Sequence, residues 1–220
     1  RSSNTTFIAS VRRSYLQLLF QLIDLPFLPD YWDYQYKVDH KFDSKNQISL
    51  IGVGSIDDFQ INVPDDITPD QQAILDQVPV IQQQTNTTGL TYERRLSDGF
   101  GVSRTSLSRS SFYNDFSRYR DNENQDGRFS RNQAREIRNT LRNETTFFRE
   151  QSTISVGASA RLNTFENDFF DENTGVSFDS DFNFLSYGGF VQWSSEGLTE
   201  RLDLTAGIRF DGNTFTDSGN

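Results

Sequence analysis

Across residues 201–211 every second side chain is apolar. Leu202, Leu204, Ala206, Ile208 and Phe210 alternate with Arg201, Asp203, Thr205, Gly207, Arg209 and Asp211. A strand projects successive side chains to opposite faces, so this period of two predicts a strand with one wholly apolar face and one polar or small face. Residues 32–43 repeat the pattern, with Trp32, Tyr34, Tyr36, Val38, His40 and Phe42 set against Asp33, Gln35, Lys37, Asp39 and Lys41. Residues 154–163 do so again, with Ile154, Val156, Ala158, Ala160 and Leu162 on one side.

Weaker alternation and flanking context extend the count to about nine strands. Tyr187, Gly189, Val191 and Trp193 share a face opposite Gln192, and Leu90, Tyr92 and Leu96 share one with Arg94, expected near a membrane edge. Residues 5–13, 48–59, 101–116 and 137–148 complete the set. The connections also alternate. Four are short, at 43–47, 97–100, 149–152 and 195–199. Between them run long polar excursions near 14–30, 57–87, 117–135 and 166–181, of a length unusual inside compact soluble domains.

Short turns at one rim and long loops at the other, joined by amphipathic strands, predict an all-β fold: an antiparallel transmembrane β-barrel of the Gram-negative outer membrane. This reading also accounts for the composition. The chain carries a net charge of −10 and only 34% hydrophobic residues, yet it has 20 Phe, 8 Tyr and 2 Trp, residues that disordered chains lack. In a barrel, loops and lumen are wet and only alternate strand residues meet lipid. A soluble antiparallel sandwich alternates too, but would bury its apolar face in a core of branched aliphatics. Trp32, Tyr34, Phe42, Tyr187 and Trp193 at the expected strand ends instead suggest interfacial girdles.

Acidity argues against nucleic acid, which demands a basic stripe. The absence of cysteine excludes disulfides and thiolate metal sites. Arg12-Arg13 before Leu18-Leu19-Phe20 imitates an export signal, but Gln17, Gln21 and Asp24 interrupt it, and an internal loop with a short hydrophobic helix fits better. Arg1 and the polar stretch 217–220 look like cut ends, so a piece of a longer chain is expected.

Two stretches carry a family resemblance. Tyr187-Gly188-Gly189-Phe190-Val191-Gln192-Trp193, followed by Leu202-Asp203-Leu204-Thr205-Ala206-Gly207-Ile208-Arg209-Phe210-Asp211, resembles a barrel hairpin of TonB-dependent receptors, with their L-x-L-x-x-G-x-R pattern. Residues 32–42, leading through Asn46 into Ile48-Ser49-Leu50, resemble another such hairpin. The resemblance implies that residues 1–220 form part of a barrel of about 22 strands, with a plug domain and a TonB-engaging segment outside this chain. It further implies energy-coupled uptake of a small-molecule, oligosaccharide or peptide ligand. Outer-membrane lipid and the TonB complex would be partners, and there is room for a surface lipoprotein. A passive porin, or a small structural or adhesive barrel, is the alternative.

No catalytic, metal or cofactor constellation emerges, and the substrate-binding residues stay unassigned. The single histidine, His40, lies on an apolar strand face, as an interfacial side chain would. Gly52, Gly54 and Gly157 fit close packing in a barrel. Residues 122–127 echo a calcium loop, but the twelfth position is Gln133 rather than Glu, and Arg118, Arg120, Arg128, Arg131 and Arg135 crowd the segment. In 57–87, Thr68 followed by Pro69 predicts a short capped helix. Residues 166–181 are acidic, with Phe165, Phe169, Phe170 and Phe178 interleaved or flanking. The expectation is an acidic, aromatic outer mouth suited to a cationic or apolar-faced ligand, set against plain loop solvation.

Overall fold

The computed structural model describes residues 4–16, 22, 27–61, 68–199 and 202–215. Nine strands follow one another: β1 (Thr5–Arg13), β2 (Phe27–Lys41), β3 (Asn46–Ile61), β4 (Val80–Arg95), β5 (Gly101–Asp121), β6 (Asp126–Arg149), β7 (Ser152–Asp171), β8 (Val176–Thr199) and β9 (Leu202–Asn213). A helix, α1 (Pro69–Leu75), lies between β3 and β4. Each strand bonds antiparallel to its sequence neighbours, giving one up-and-down sheet edged by β1 and β9. No helix among the described residues is long and apolar enough to cross a membrane, which leaves crossing by strands open.

The register aligns the apolar positions. Phe7, Val38, Leu50, Leu90, Leu107, Leu141, Ala160 and Tyr187 face one another pairwise across the whole sheet. On β7 the same face runs apolar from Ile154 to Leu162, and on β8 from Leu185 to Trp193, close to the 9–11 residues a tilted strand needs to span a bilayer. These side chains stand in the open, Phe7 at 70% and Ile208 at 81% exposure. The buried hydrophobics among the described residues are Leu75 and Val80. A soluble sandwich would cover one sheet face with a core, so the exposed belt makes this a lipid-facing wall. The fold is that of an outer-membrane β-barrel sector.

Three expectations need correction. Residues 117–135 and 166–181 are not long loops. β5 and β6 continue to a turn at 122–125, and β7 and β8 to a turn at 172–175. Their polarity misled because strands that rise beyond a membrane have solvent on the face that lipid covers lower down. Within 14–30, β2 already begins at Phe27, and within 57–87, β3 runs to Ile61 and β4 starts at Val80. Residues 17–21, 23–26 and 62–67 of those excursions lie outside the described residues. Tyr187 sits in the central row rather than at a strand end, because β8 is far longer than its clean alternation. Three of the four short connections fall where expected, whereas 195–199 belongs to β8, whose link to β9 lies outside the described residues. Asp43 closes the first, accepting the backbone N–H groups of Lys45 and Asn46 at 2.7 Å each. These bonds and the Asn46 amide hold its carboxyl below the usual carboxylate range.

At the opposite rim a small node ties α1 to the sheet. Thr68 and Gln71 form a reciprocal capping box with Pro69 at the helix start, as the sequence predicts. Asn122, buried in the β5–β6 turn, donates its amide to the carbonyls of Leu75 and, at 2.9 Å, Val78.

Candidate functional site

The pleat sorts the long hairpins into two chemically distinct surfaces. Residues paired in register share a face, so each pairing assigns side chains. Above the apolar belt, the belt's own face becomes charged. It carries Tyr113, Asp115, Arg131, Gln133, Arg135, Glu166, Asp168, Asp179 and Asp181. Arg131 binds Asp115 through Nε at 3.0 Å, and Arg135 lies 3.7 Å from Glu166. Burial pushes the Asp115 carboxyl up, but hydrogen bonds from Arg131 and Ser117 outweigh it and hold the group low. Glu166 stands opposite Asp181 and Asp168 opposite Asp179, like-charge pairs that only a wet surface tolerates at small cost.

The opposite face inverts the other way. Low on the sheet it carries paired charges, Lys37 with Asp39 at 2.9 Å, Arg104 with Glu93 at 2.8 Å, and Arg142 with Glu144 at 2.7 Å, with Ile8, Ile51, Val53 and Phe190 set among them. Higher up it becomes aromatic. Phe112, Glu136, Phe165 and Phe182 form one cross-strand row, and Phe116, Asn132, Phe169 and Phe178 another. Phe165 and Phe182 have ring centroids 5.0 Å apart, as do Phe169 and Phe178, while Phe215 leans over Phe182 at 5.3 Å and Phe184 at 5.4 Å. A cavity of about 520 Å³ opens among Phe112, Phe165, Phe182, Phe184 and Phe215, with Glu136 and Arg138 at its edge.

The expected acidic, aromatic mouth is therefore not one surface. Phe165, Phe169 and Phe178 share the inner face, whereas Glu166, Asp168, Asp179 and Asp181 lie on the other side of the sheet. Phe170 also lies on the charged side, with the Arg128 guanidinium 5.6 Å from its ring centre. Sequence reasoning missed Phe182, Phe184 and Arg138. The alternation Phe182-Asn183-Phe184 was the available signal, hidden because its apolar phase is opposite to that of the belt below.

The remaining candidates have structural occupations. His40 accepts or donates a 2.8 Å bond with Thr5 Oγ1, its cross-strand partner, and packs edge-on against Phe42. Gly52 and Gly54 leave room for the rings of Tyr36 and Tyr34, and Gly157 for that of Phe190. Asp121, just before the calcium-like segment, is spent on the backbone and side-chain amides of Asn124 (3.0 and 2.9 Å), and Asn122, its first residue, on α1. Gly127 is placed at φ +65°, a left-handed turn position. Among the described residues no group of three or more His, Cys, Asp or Glu is placed to hold a metal ion.

The fold has known counterparts. The chain is similar to the ferripyoverdine receptor of the outer membrane of Pseudomonas aeruginosa, with TM-score 0.65 and 12% identity over 96% of this chain and 33% of that one. It is similar to a variant of the ferric enterobactin receptor from the same organism (TM-score 0.63, 12% identity, 97% of this chain, 35% of that one). A copper transporter gives TM-score 0.58 and 16% identity over 84% of this chain and 28% of that one. The chain thus spans about a third of these structures or less. At such identities the likeness is one of fold. No family profile matches the chain, and no curated protein matches it by sequence.

Proposed function

We propose that this chain is a sector of the barrel wall of a TonB-dependent outer-membrane receptor in a Gram-negative cell. The receptor captures a small-molecule, oligosaccharide or peptide ligand at its outer mouth and imports it with energy delivered through TonB. The observation that carries this is the inversion of polarity above the belt. A passive channel needs a polar, wetted wall throughout, whereas this wall becomes a phenylalanine surface on the face that is polar below. Two hairpins with receptor-like sequence and the fold likeness to two ligand-receptor barrels support the same reading. The plug and the TonB-engaging segment belong to parts of the protein outside this chain, and a surface lipoprotein over the mouth is compatible with it. The reading involves no enzymatic step.

In this arrangement the long hairpins β5–β6 and β7–β8 project outside the cell and the short turns face the periplasm. Protease added to intact cells is expected to cut near 122–125 or 172–175, since exposed tips are nicked first. Cutting only at the short turns, and only after the outer membrane is opened, inverts the topology. The function itself is tested by uptake in cells with and without TonB. Saturable uptake that stops on TonB deletion is expected. Uptake that persists and rises linearly with concentration makes the protein a passive channel instead.

A further inference from the structure

We infer that a cavity on the belt face of β2–β6 binds the phosphate of an outer-leaflet glycolipid, held between Arg109 and Arg135. The inference rests on the reading above, in which the belt meets lipid and the long hairpins stand outside the cell.

The belt is interrupted on β4–β6. Directly above the row of Leu90, Leu107 and Leu141, the same face carries Thr88, Arg109 and Asn139, and then Asn86, Ser111 and Ile137. The row of Arg109 runs on to Leu162 and Leu185, and its other members, from Ala9 to Leu185, are uncharged. Arg109 thus stands in register with lipid-facing leucines. It donates to Asn139 Oδ1 at 3.2 Å and makes no ion pair among the described residues.

Above Arg109 opens a cavity of about 410 Å³, walled on the belt face by Gln84, Asn86, Ser111 and Arg135. Beside them the Tyr34 ring lies over Gly54, and its hydroxyl accepts the Asn86 amide. Strands β2–β6 are each paired on both sides, so no open edge of the sheet forms this cavity. Arg135 pairs in register with Tyr113, four residues above Arg109 on β5, roughly 13 Å of strand. The two guanidinium groups therefore enter from opposite ends. Among the described residues no carboxylate lines the cavity. Glu166, 3.7 Å from Arg135, stands outside it on β7. Asp58, Asp115 and Asp168 lie one row higher, and Asp115 is already bound by Arg131. An anion on this face meets two cations in the cavity and repulsion above it.

A cation on a lipid-facing wall is costly unless an anion meets it, and lipid phosphates lie where the apolar layer ends. The arginine stem keeps contact with lipid tails while its head reaches that border. A phosphate presents several charged oxygens, which guanidinium forks bind in pairs. In the outer leaflet of a Gram-negative cell the phosphate-bearing lipid is a glycolipid, whose acyl chains then cover the belt below.

The test uses the full-length protein refolded in detergent, with native mass spectrometry counting the lipids it retains. The probes are diphosphoryl lipid A, the same lipid with its phosphates removed, phosphatidylglycerol and inorganic phosphate. Diphosphoryl lipid A is expected to bind about tenfold or more tighter than its dephosphorylated form, the scale of one hydrogen bond between charged groups. R109Q/R135Q is expected to erase that preference and R109K/R135K to keep part of it. Each single glutamine variant is expected to lower it severalfold, so the test stands even if the double variant does not fold. R138Q/R161Q removes the same charge from the other side of the sheet and is expected to leave the preference intact. Heat-modified gel migration reports that each variant keeps its barrel. Equal retention of the two lipid A forms, or a preference that survives R109Q/R135Q in an intact barrel, overturns the inference. Inorganic phosphate binding as tightly as the lipid also overturns it, as does a preference for phosphatidylglycerol, which would put the cavity in the inner leaflet. Uptake separates this from the receptor reading. A lipid A preference with TonB-independent uptake keeps the site and removes the receptor, whereas TonB-dependent uptake without any preference does the reverse.

Discussion

The lower and upper halves of β7 and β8 are the same two strands with the same pleat, yet they present opposite surfaces. Between Ile154 and Leu162, and between Leu185 and Trp193, the belt face is apolar and the inner face carries Ser155, Ser159, Arg161 and Gln192. A few residues higher the belt face carries Glu166, Asp168, Asp179 and Asp181, and the inner face Phe165, Phe169, Phe178 and Phe182. The period of two never breaks; its phase reverses. Alternation therefore reports that a strand has two different surroundings, but not which side is dry. Lipid fixes the dry side below and the ring surface fixes it above, so on the proposed receptor reading the crossing near Leu162 and Leu185 is where β7 and β8 leave the membrane.

The sharpest way to break this comparison is to place one charge in both halves. Ala160→Arg in the central belt row is expected to cost about 2–4 kcal/mol of stability in lipid bilayers, as for arginine near a bilayer midplane. Asp181→Arg, on the same face one hairpin level up, is expected to stay within about 0.5 kcal/mol. Urea unfolding in vesicles reads both. Similar costs at the two positions would mean that the belt does not end where the phase reverses.

Next in size is the node that fastens α1 to the β5–β6 turn. Asn122→Ala leaves the Leu75 and Val78 carbonyls without their donor, a local loss of about 1–3 kcal/mol. Hydrogen exchange across 68–79 is expected to rise while the belt strands keep their protection. Unchanged exchange in 68–79 would show that α1 is held by something other than this contact.

A double-mutant cycle on Phe165 and Phe182 addresses the inner surface. Their rings are 5.0 Å apart, and a coupling of about 0.5–1.5 kcal/mol beyond area burial is expected. Zero coupling would make the inner rings independent residents of the wall rather than one surface.

The smallest effect is the ion pair of the upper charged face. Because Asp115 is held below its usual value, its contribution is fully present above the unfolded carboxylate pKa of about 3.9 and is lost as pH falls through the lower folded value. The pair is partly exposed, so the contribution is under about 1 kcal/mol. Exchange at the β5–β6 tip is expected to quicken on acidification below pH ~4, and Asp115→Asn to remove that dependence. A dependence unchanged in Asp115→Asn would assign the titration to another carboxylate.

What the amino-acid sequence determined on its own was the strand count and, where alternation is clean, the faces. Val38, Ala160 and Ile208 belong to the apolar side because period-two spacing and hydrophobicity are local properties of the chain. The capped helix at Thr68 and three of the four short turns were legible for the same reason. Three things needed the tertiary structure. Register is one: that Phe7, Val38, Leu50, Leu90, Leu107, Leu141, Ala160 and Tyr187 form a single row follows from pairings between residues far apart in sequence. The extent of β5 through β8 is another, since their upper halves are polar enough to pass for loops until cross-strand bonds are seen to continue. The third is the site. Phe165 and Glu166 are neighbours in the chain, but the pleat puts them on opposite sides of a wall, where Phe165 pairs with Glu136 and Phe182, and Glu166 with Arg135 and Asp181.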